Sequence, residues 1–103
     1  MHAAAMRRLE KRAAVLKALA NPARLFLIEE LRRGERCVCE LHEKAGGDFS
    51  TVSKHLAQLR RAGLLASKKR GLQVYYRLRS ECAVRLLECA GEVARAAGKE
   101  VRL

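Results

Sequence analysis

Phe49-Ser50-Thr51-Val52-Ser53-Lys54-His55-Leu56-Ala57-Gln58-Leu59-Arg60-Arg61-Ala62-Gly63-Leu64-Leu65 runs into Ala66-Ser67-Lys68-Lys69-Arg70-Gly71-Leu72-Gln73-Val74-Tyr75-Tyr76-Arg77-Leu78. In the first half Val52, Leu56 and Leu59 recur at helical spacing, Asp48 or Ser50 offers an N-cap, and Gly63 offers a stop. In the second half Val74, Tyr76 and Leu78 alternate with Gln73, Tyr75 and Arg77, the period of a strand. The stretch therefore reads as a helix followed by two strands, Leu64 to Lys69 and Leu72 to Arg79, joined at Arg70-Gly71. Between Phe49 and Ser80 there are eight Lys or Arg residues and no Asp or Glu. The whole chain carries +11 and this window +8, so only +3 lies elsewhere. A polar helix face beside a basic hairpin, with no acid to repel phosphate, suits a reader of duplex DNA.

Outward from this stretch, Met6, Leu9, Ala13, Leu16 and Ala20 mark a first helix over Ala3 to Leu19. Asn21-Pro22 ends it and starts a second, to about Arg33, with Leu25, Ile28 and Leu31 inward and Gly34 as its stop. A short third helix spans about Val38 to Ala45, ahead of Gly46-Gly47. Ser80 caps a last helix to about Ala97. There Cys82, Leu86, Cys89 and Val93 form one stripe, with Ala83, Leu87, Ala90 and Ala94 beside it, a broad apolar face suited to a partner helix. The 103 residues hold one domain and one core. The expected fold is mainly α with a small β-hairpin (α+β), a winged helix-turn-helix of order α-α-α-α-β-β-α. Its recognition helix is about 50–62, its wing about 64–79, and the first and last helices, about 3–19 and 80–97, make it a homodimer.

The sequence pI of about 10.3 calls for a polyanionic partner. A membrane is the weakest such partner, because no apolar run approaches the roughly 20 residues of a spanning helix. The first twenty residues alternate charge with Ala and Leu and lack the apolar core of a signal peptide, so a cytoplasmic protein is expected. Its four cysteines are then expected as thiols. No phosphate loop, zinc-hydrolase motif or nucleophile–base–oxyanion constellation is present, which argues against an enzyme.

Four segments resemble the ArsR/SmtB family of winged-helix repressors. Leu19-Ala20-Asn21-Pro22-Ala23-Arg24-Leu25 is similar to the family's entry into its second helix, and Cys37-Val38-Cys39-Glu40-Leu41 to the thiol box of its arsenical repressors. Ser50 to Leu56 with Ala62-Gly63-Leu64 resembles its recognition helix, and Gly71 to Leu78 its wing. The likeness spans about Leu16 to Leu78, in order and with matching spacing. It implies a homodimeric repressor released from operator DNA by an effector, in a metal, metalloid or redox operon.

In a helix-turn-helix the N-terminal residues of the second helix meet base edges in the major groove. Here these are Ser50, Thr51, Ser53, Lys54 and His55, with Gln58 one turn on. Ser and Thr donate and accept, Gln pairs with adenine, and Lys reaches guanine or phosphate. His55 is equally suited to packing or capping. Arg60, Arg61, Lys68, Lys69, Arg70 and Arg77 are expected on phosphate, the rim or the minor groove.

Cys37 and Cys39 stand where the third helix begins, and a helix N-terminus favours thiolate. Two residues apart on a regular helix they would point nearly opposite ways, so they share an ion only if Cys37 lies in the preceding turn. Such near neighbours rarely reach disulfide geometry, and no Cys37–Cys39 bridge is expected. Soft ions select thiolate, and the resemblance to the arsenical repressors implies As(III), Sb(III) or another soft metal ion as the effector. In the arsenical repressors this chain resembles, a third thiol stands where this chain has His42. Either As(III) takes the two thiolates plus another group, or Cys82 or Cys89 completes the site, whereas His42 would serve a borderline ion such as Zn(II). The family's C-terminal zinc site uses carboxylate and His ligands, and the last helix here has Glu81, Glu88 and Glu92 but no His. The alternatives are a redox or persulfide trigger joining Cys37 or Cys39 to Cys82 or Cys89, and a non-specific basic nucleic-acid-binding protein with inert, packed thiols.

Overall fold

The computed structural model describes residues 2–99. Helix α1 (Ala3–Leu19) leads into α2 (Pro22–Leu31), and a two-residue strand β1 (Arg36–Cys37) precedes α3 (Val38–Ala45). Helix α4 (Phe49–Arg61), strands β2 (Leu65–Arg70) and β3 (Gln73–Leu78) and helix α5 (Cys82–Ala96) follow. The winged helix-turn-helix expected from the sequence is present, with one strand added. Among the described residues no helix is long and apolar enough to cross a membrane.

Local chemistry accounts for most boundaries. Asn21 caps α2 by accepting from the amides of Ala23 (2.9 Å) and Arg24 (3.3 Å), with Pro22 just inside where a missing N–H costs nothing. Helix α2 stops at Leu31, two residues short of the expected Arg33, as Gly34 takes φ +127°. It buries Leu27, Ile28 and Leu31. Leu25, expected inward, is only half-buried and lines an apolar cleft shared with Leu16 of α1 and Leu86 and Leu87 of α5. Helix α5 begins at Cys82, and Ser80 still contributes, since its hydroxyl accepts from the Cys82 amide at 3.3 Å.

The sheet is antiparallel with order β1-β3-β2. Rungs Leu65↔Leu78 to Arg70↔Gln73 leave Gly71 and Leu72 as the two-residue turn, one position later than the Arg70-Gly71 read from sequence. Of the two turn residues only Gly71 takes positive φ (+61°), the requirement of a turn that reverses two right-twisted strands. Strand β1 pairs Arg36↔Tyr76 and Cys37↔Tyr75. Two residues have no period to detect, and this strand exists only because β3 offers it a free edge.

The core gathers Leu27, Ile28, Leu31, Leu41, Leu56, Leu59 and Leu65, each almost fully buried. Helix α1 meets this core chiefly through Leu19. Its Met6, Leu9 and Leu16 are exposed, as is Val93 on α5. The Cα radius of gyration of 16.0 Å exceeds the roughly 13 Å of a compact chain this long, as an arm lacking its packing partner would produce.

Candidate nucleic-acid interface and thiol pair

Val52, Leu56 and Leu59 turn one side of α4 into the core, so the helical period sends Ser50, Lys54, Gln58 and Arg61 outward, all exposed. Ser53 and His55 are half-buried on the two flanks, and Thr51 and Arg60 are exposed there. At the head of the helix the Asp48 carbonyl accepts from the amides of Thr51 (3.1 Å) and Val52 (3.2 Å), and its carboxylate accepts from the hydroxyls of Ser50 (2.6 Å) and Thr51 (3.4 Å). The Ser50 bond is the main reason the Asp48 carboxyl is held below its usual range. With their protons turned to Asp48, these two hydroxyls keep lone pairs for an incoming donor.

His55 and Gln58 are engaged from outside the helix. Arg24 of α2 donates from Nε to His55 Nδ1 at 3.0 Å and from Nη2 to Gln58 Oε1, and its Nη1 donates to the carbonyl of Ala18 at 3.2 Å. Partial burial and then the Arg24 charge lower the His55 pKa from the ordinary imidazole value. Sequence reasoning passed over Arg24, which lies outside the acid-free window. The contact joins residues 31 and 34 positions apart, a separation that carries no sequence signal.

In the wing, residues directly opposite on neighbouring strands share a face. Lys68, Arg70 and Arg77 therefore lie with Gln73 and Tyr75 on one face, and Lys69 lies on the other with Val74 and Tyr76. All four basic residues are exposed. Arg70 already has partners: it pairs with Glu35 at 3.0 Å and lies 4.9 Å over the Tyr75 ring.

The thiol segment meets that same face. Cys37 is not the first residue of a helix. It is the extended N-cap of α3 (φ −77°, ψ 157°) and the last residue of β1, so the condition for the two sulfurs to converge is met. The structure joins Cys37 and Cys39 as a disulfide, with Cα atoms 5.4 Å apart, which corrects the expectation that no such bridge forms. The physical reason is the change from strand to helix between the two residues, which swings both side chains to one side. The Cys37 sulfur accepts from the Glu40 amide at 3.4 Å while the Glu40 carboxylate faces the Cys37 amide at 3.5 Å, a capping box that holds the turn. Cys39 Sγ lies 3.5 Å from Gln73 Oε1 on the wing, a bond that only a reduced thiol can donate.

The remaining candidate ligands do not join the pair. His42 bonds through Nε2 to the Gly47 carbonyl (2.9 Å) and sets its ring edge against Phe49 (5.2 Å). Cys82 and Cys89 are free and exposed on α5. Among the described residues no three His, Cys, Asp or Glu side chains gather as a metal cluster.

Residues 21–67 match the model of the bacterial regulatory protein arsR family. The chain is 42% identical over 84 residues to the biofilm growth-associated repressor of Agrobacterium fabrum, covering 78% of this chain and 72% of that one. It is 46% identical over 69 residues to the arsenic resistance transcriptional regulator ArsR1 of Pseudomonas putida, covering 65% of this chain but only 53% of that relative. The chain belongs to the ArsR/SmtB family. A solution structure of the homodimeric winged helix-turn-helix DNA-binding domain of a possible ArsR-family regulator from Mycobacterium bovis is similar throughout. Its TM-score is 0.82 at 30% identity, covering 100% of this chain and 95% of that one. This ArsR-family chain is thus a DNA-binding transcriptional repressor of a homodimeric regulator family, not an enzyme.

Proposed function

We propose that this ArsR-family repressor is released from its operator by an effector at the Cys37/Cys39 pair, with As(III) or Sb(III) as the ligand class. The observation that carries the reading is the cap geometry of α3, which brings two sulfurs onto one side without a third ligand. Sulfurs near enough to bond to each other are near enough to chelate one soft ion. With the thiols reduced, As(OH)3 takes both sulfurs in place of two hydroxides. Each departing hydroxide leaves as water with one thiol proton, and the third arsenic ligand stays a hydroxide. The arsenic resistance regulator among the relatives supports the same choice. Zn(II) is the weaker candidate, because His42 is bonded elsewhere.

In this reading Ser50, Thr51, Ser53, Lys54, His55 and Gln58 face base edges. Arg60, Arg61, Lys68, Lys69, Arg70 and Arg77 face phosphate or the minor groove. The uncovered apolar residues of α1 and α5 pack a second copy, setting two recognition helices about 34 Å apart on the duplex. Residues 1–103 act as one domain. The effector signal passes through β1, since its two rungs to β3 and the Gln73 contact tie the thiol pair to the basic face of the wing.

The bonding contact of the two sulfurs favours one second reading. A two-electron oxidant such as a peroxide would take two electrons and two protons from the thiols and leave the bridge, removing the S–H that the reduced Cys39 could donate to Gln73. In that version Cys37 and Cys39 react with each other, not with Cys82 or Cys89. An anaerobic arsenite titration of reduced protein, followed by sulfur-to-arsenic absorption, separates the two readings. Saturation at one ion per protomer, abolished in the Cys37→Ser/Cys39→Ser variant, is expected. A flat titration with peroxide-dependent release from DNA would replace the metalloid reading by the oxidative one.

A further inference from the structure

Arg24 lies in the first turn of α2, and its guanidinium ties three elements together. It donates to the Ala18 carbonyl in the last turn of α1 and to His55 and Gln58 of α4. A guanidinium carries five N–H donors, no acceptor, and no proton it can lose. Every group facing it must therefore accept. His55 has to turn an unprotonated Nδ1 toward Arg24, which makes the ring neutral and places its proton on Nε2. Gln58 has to turn its carbonyl oxygen inward, leaving the NH2 as its outer end.

We propose that Arg24 is a positioning residue that determines DNA specificity, by presenting His55 and Gln58 to the duplex as hydrogen-bond donors. The inference rests on α4 being the recognition helix. The usual pairing of Gln with adenine needs the amide oxygen to accept from N6 while the NH2 donates to N7. With that oxygen drawn to Arg24, the outer NH2 suits paired acceptors, and guanine offers two, O6 and N7, in the major groove. The His55 Nε2–H adds a second donor three residues back. Partial burial of His55 and the adjacent Arg24 charge also favour the neutral ring this arrangement needs. The hydroxyls at the head of the helix are the opposite case, since Ser50 and Thr51 spend their protons on Asp48. The face thus grades from acceptors at its start to donors one to two turns later.

The test is selection of bound sequences from a randomised duplex library by the wild type and by Arg24→Lys, which keeps the charge and loses the fork. The wild type should select a motif with guanine at one position per half-site. The Lys variant should lose that preference about tenfold, the scale of one bidentate contact, while keeping its other preferences. Its affinity for random duplex should stay within about threefold, because the charge is unchanged. A motif identical in the variant, or an equal loss at every position, would overturn the assignment. Long-range proton–nitrogen NMR of His55 in the wild type supplies a readout that needs no variant. A neutral ring protonated at Nε2 is expected, and protonation at Nδ1 overturns the proposal even if Arg24→Lys fails to fold. A wild type that selects no motif would remove the recognition-helix reading itself, and this inference with it.

Discussion

The recognition helix and the wing carry comparable basic charge, and they are held in place by different means. Helix α4 is anchored by Val52, Leu56 and Leu59, the last two with no exposed surface, and by the Arg24 fork. Beyond its base at Leu65 and Tyr76 the wing has little core beneath it. Ser67 to Gln73 are all exposed, and Leu72 at the tip is 97% exposed. Its lateral support is β1 and the Glu35–Arg70 pair, both next to the two sulfurs in sequence. A chemical event at two sulfurs is small beside a packed leucine helix, but it is comparable to two ladder rungs and a surface ion pair. If the proposed effector acts at these sulfurs, its leverage is on the wing, with α4 as the fixed reference.

The sharpest way to break this contrast is to remove the anchor of α4. Leu56→Ala should cost about 2–5 kcal/mol of unfolding free energy, since a fully buried leucine leaves a cavity that a close-packed core only partly refills. Urea denaturation measures it, and a loss below about 1 kcal/mol would mean α4 is not the rigid member of the pair. The wing should respond in DNA affinity and not in stability. Lys68→Ala with Arg77→Ala should make the logarithmic salt dependence of duplex binding shallower by about two, near 0.9 for each phosphate no longer neutralised. An unchanged slope would take both side chains off the backbone.

A smaller effect is expected at the tie between thiol segment and wing. Glu35→Gln should change stability by no more than about 1 kcal/mol, the range of an exposed ion pair. It should also steepen the salt dependence as Arg70 is freed for phosphate, and an unchanged slope would show that Arg70 stays with Tyr75.

The smallest effect concerns His55. Its folded pKa is lowered, so below the ordinary value of about 6.5 the unfolded chain takes up a proton that the folded ring resists. The associated stability is therefore complete above about pH 6.5 and drains as pH falls toward the folded value. His55→Gln should flatten the part of the curve of Tm against pH that lies below about pH 6.5, and parallel curves would place the pH dependence elsewhere.

Much of the molecule is legible one segment at a time. The 3.6-residue and two-residue periods, Asn21-Pro22, Gly34 and Gly63 place the helices and the hairpin to within one or two residues. The concentration of charge between Phe49 and Ser80 is legible for the same reason: it is a property of the chain and not of its packing. The helix and strand periods also put Leu56 inward and Lys54 outward without reference to any neighbour.

Tertiary structure decided what depends on distant partners. Strand β1 is too short to carry a period and forms only against the open edge of β3. The convergence of Cys37 and Cys39 depends on the chain changing from strand to helix between them, which their spacing alone does not reveal. The Arg24 fork joins side chains more than thirty residues apart. Periodicity and composition are local sums over the chain and survive in the bare sequence. An edge to pair with, a turn between two thiols and a guanidinium meeting two acceptors are relations across space, and they exist only once the core has brought those segments together.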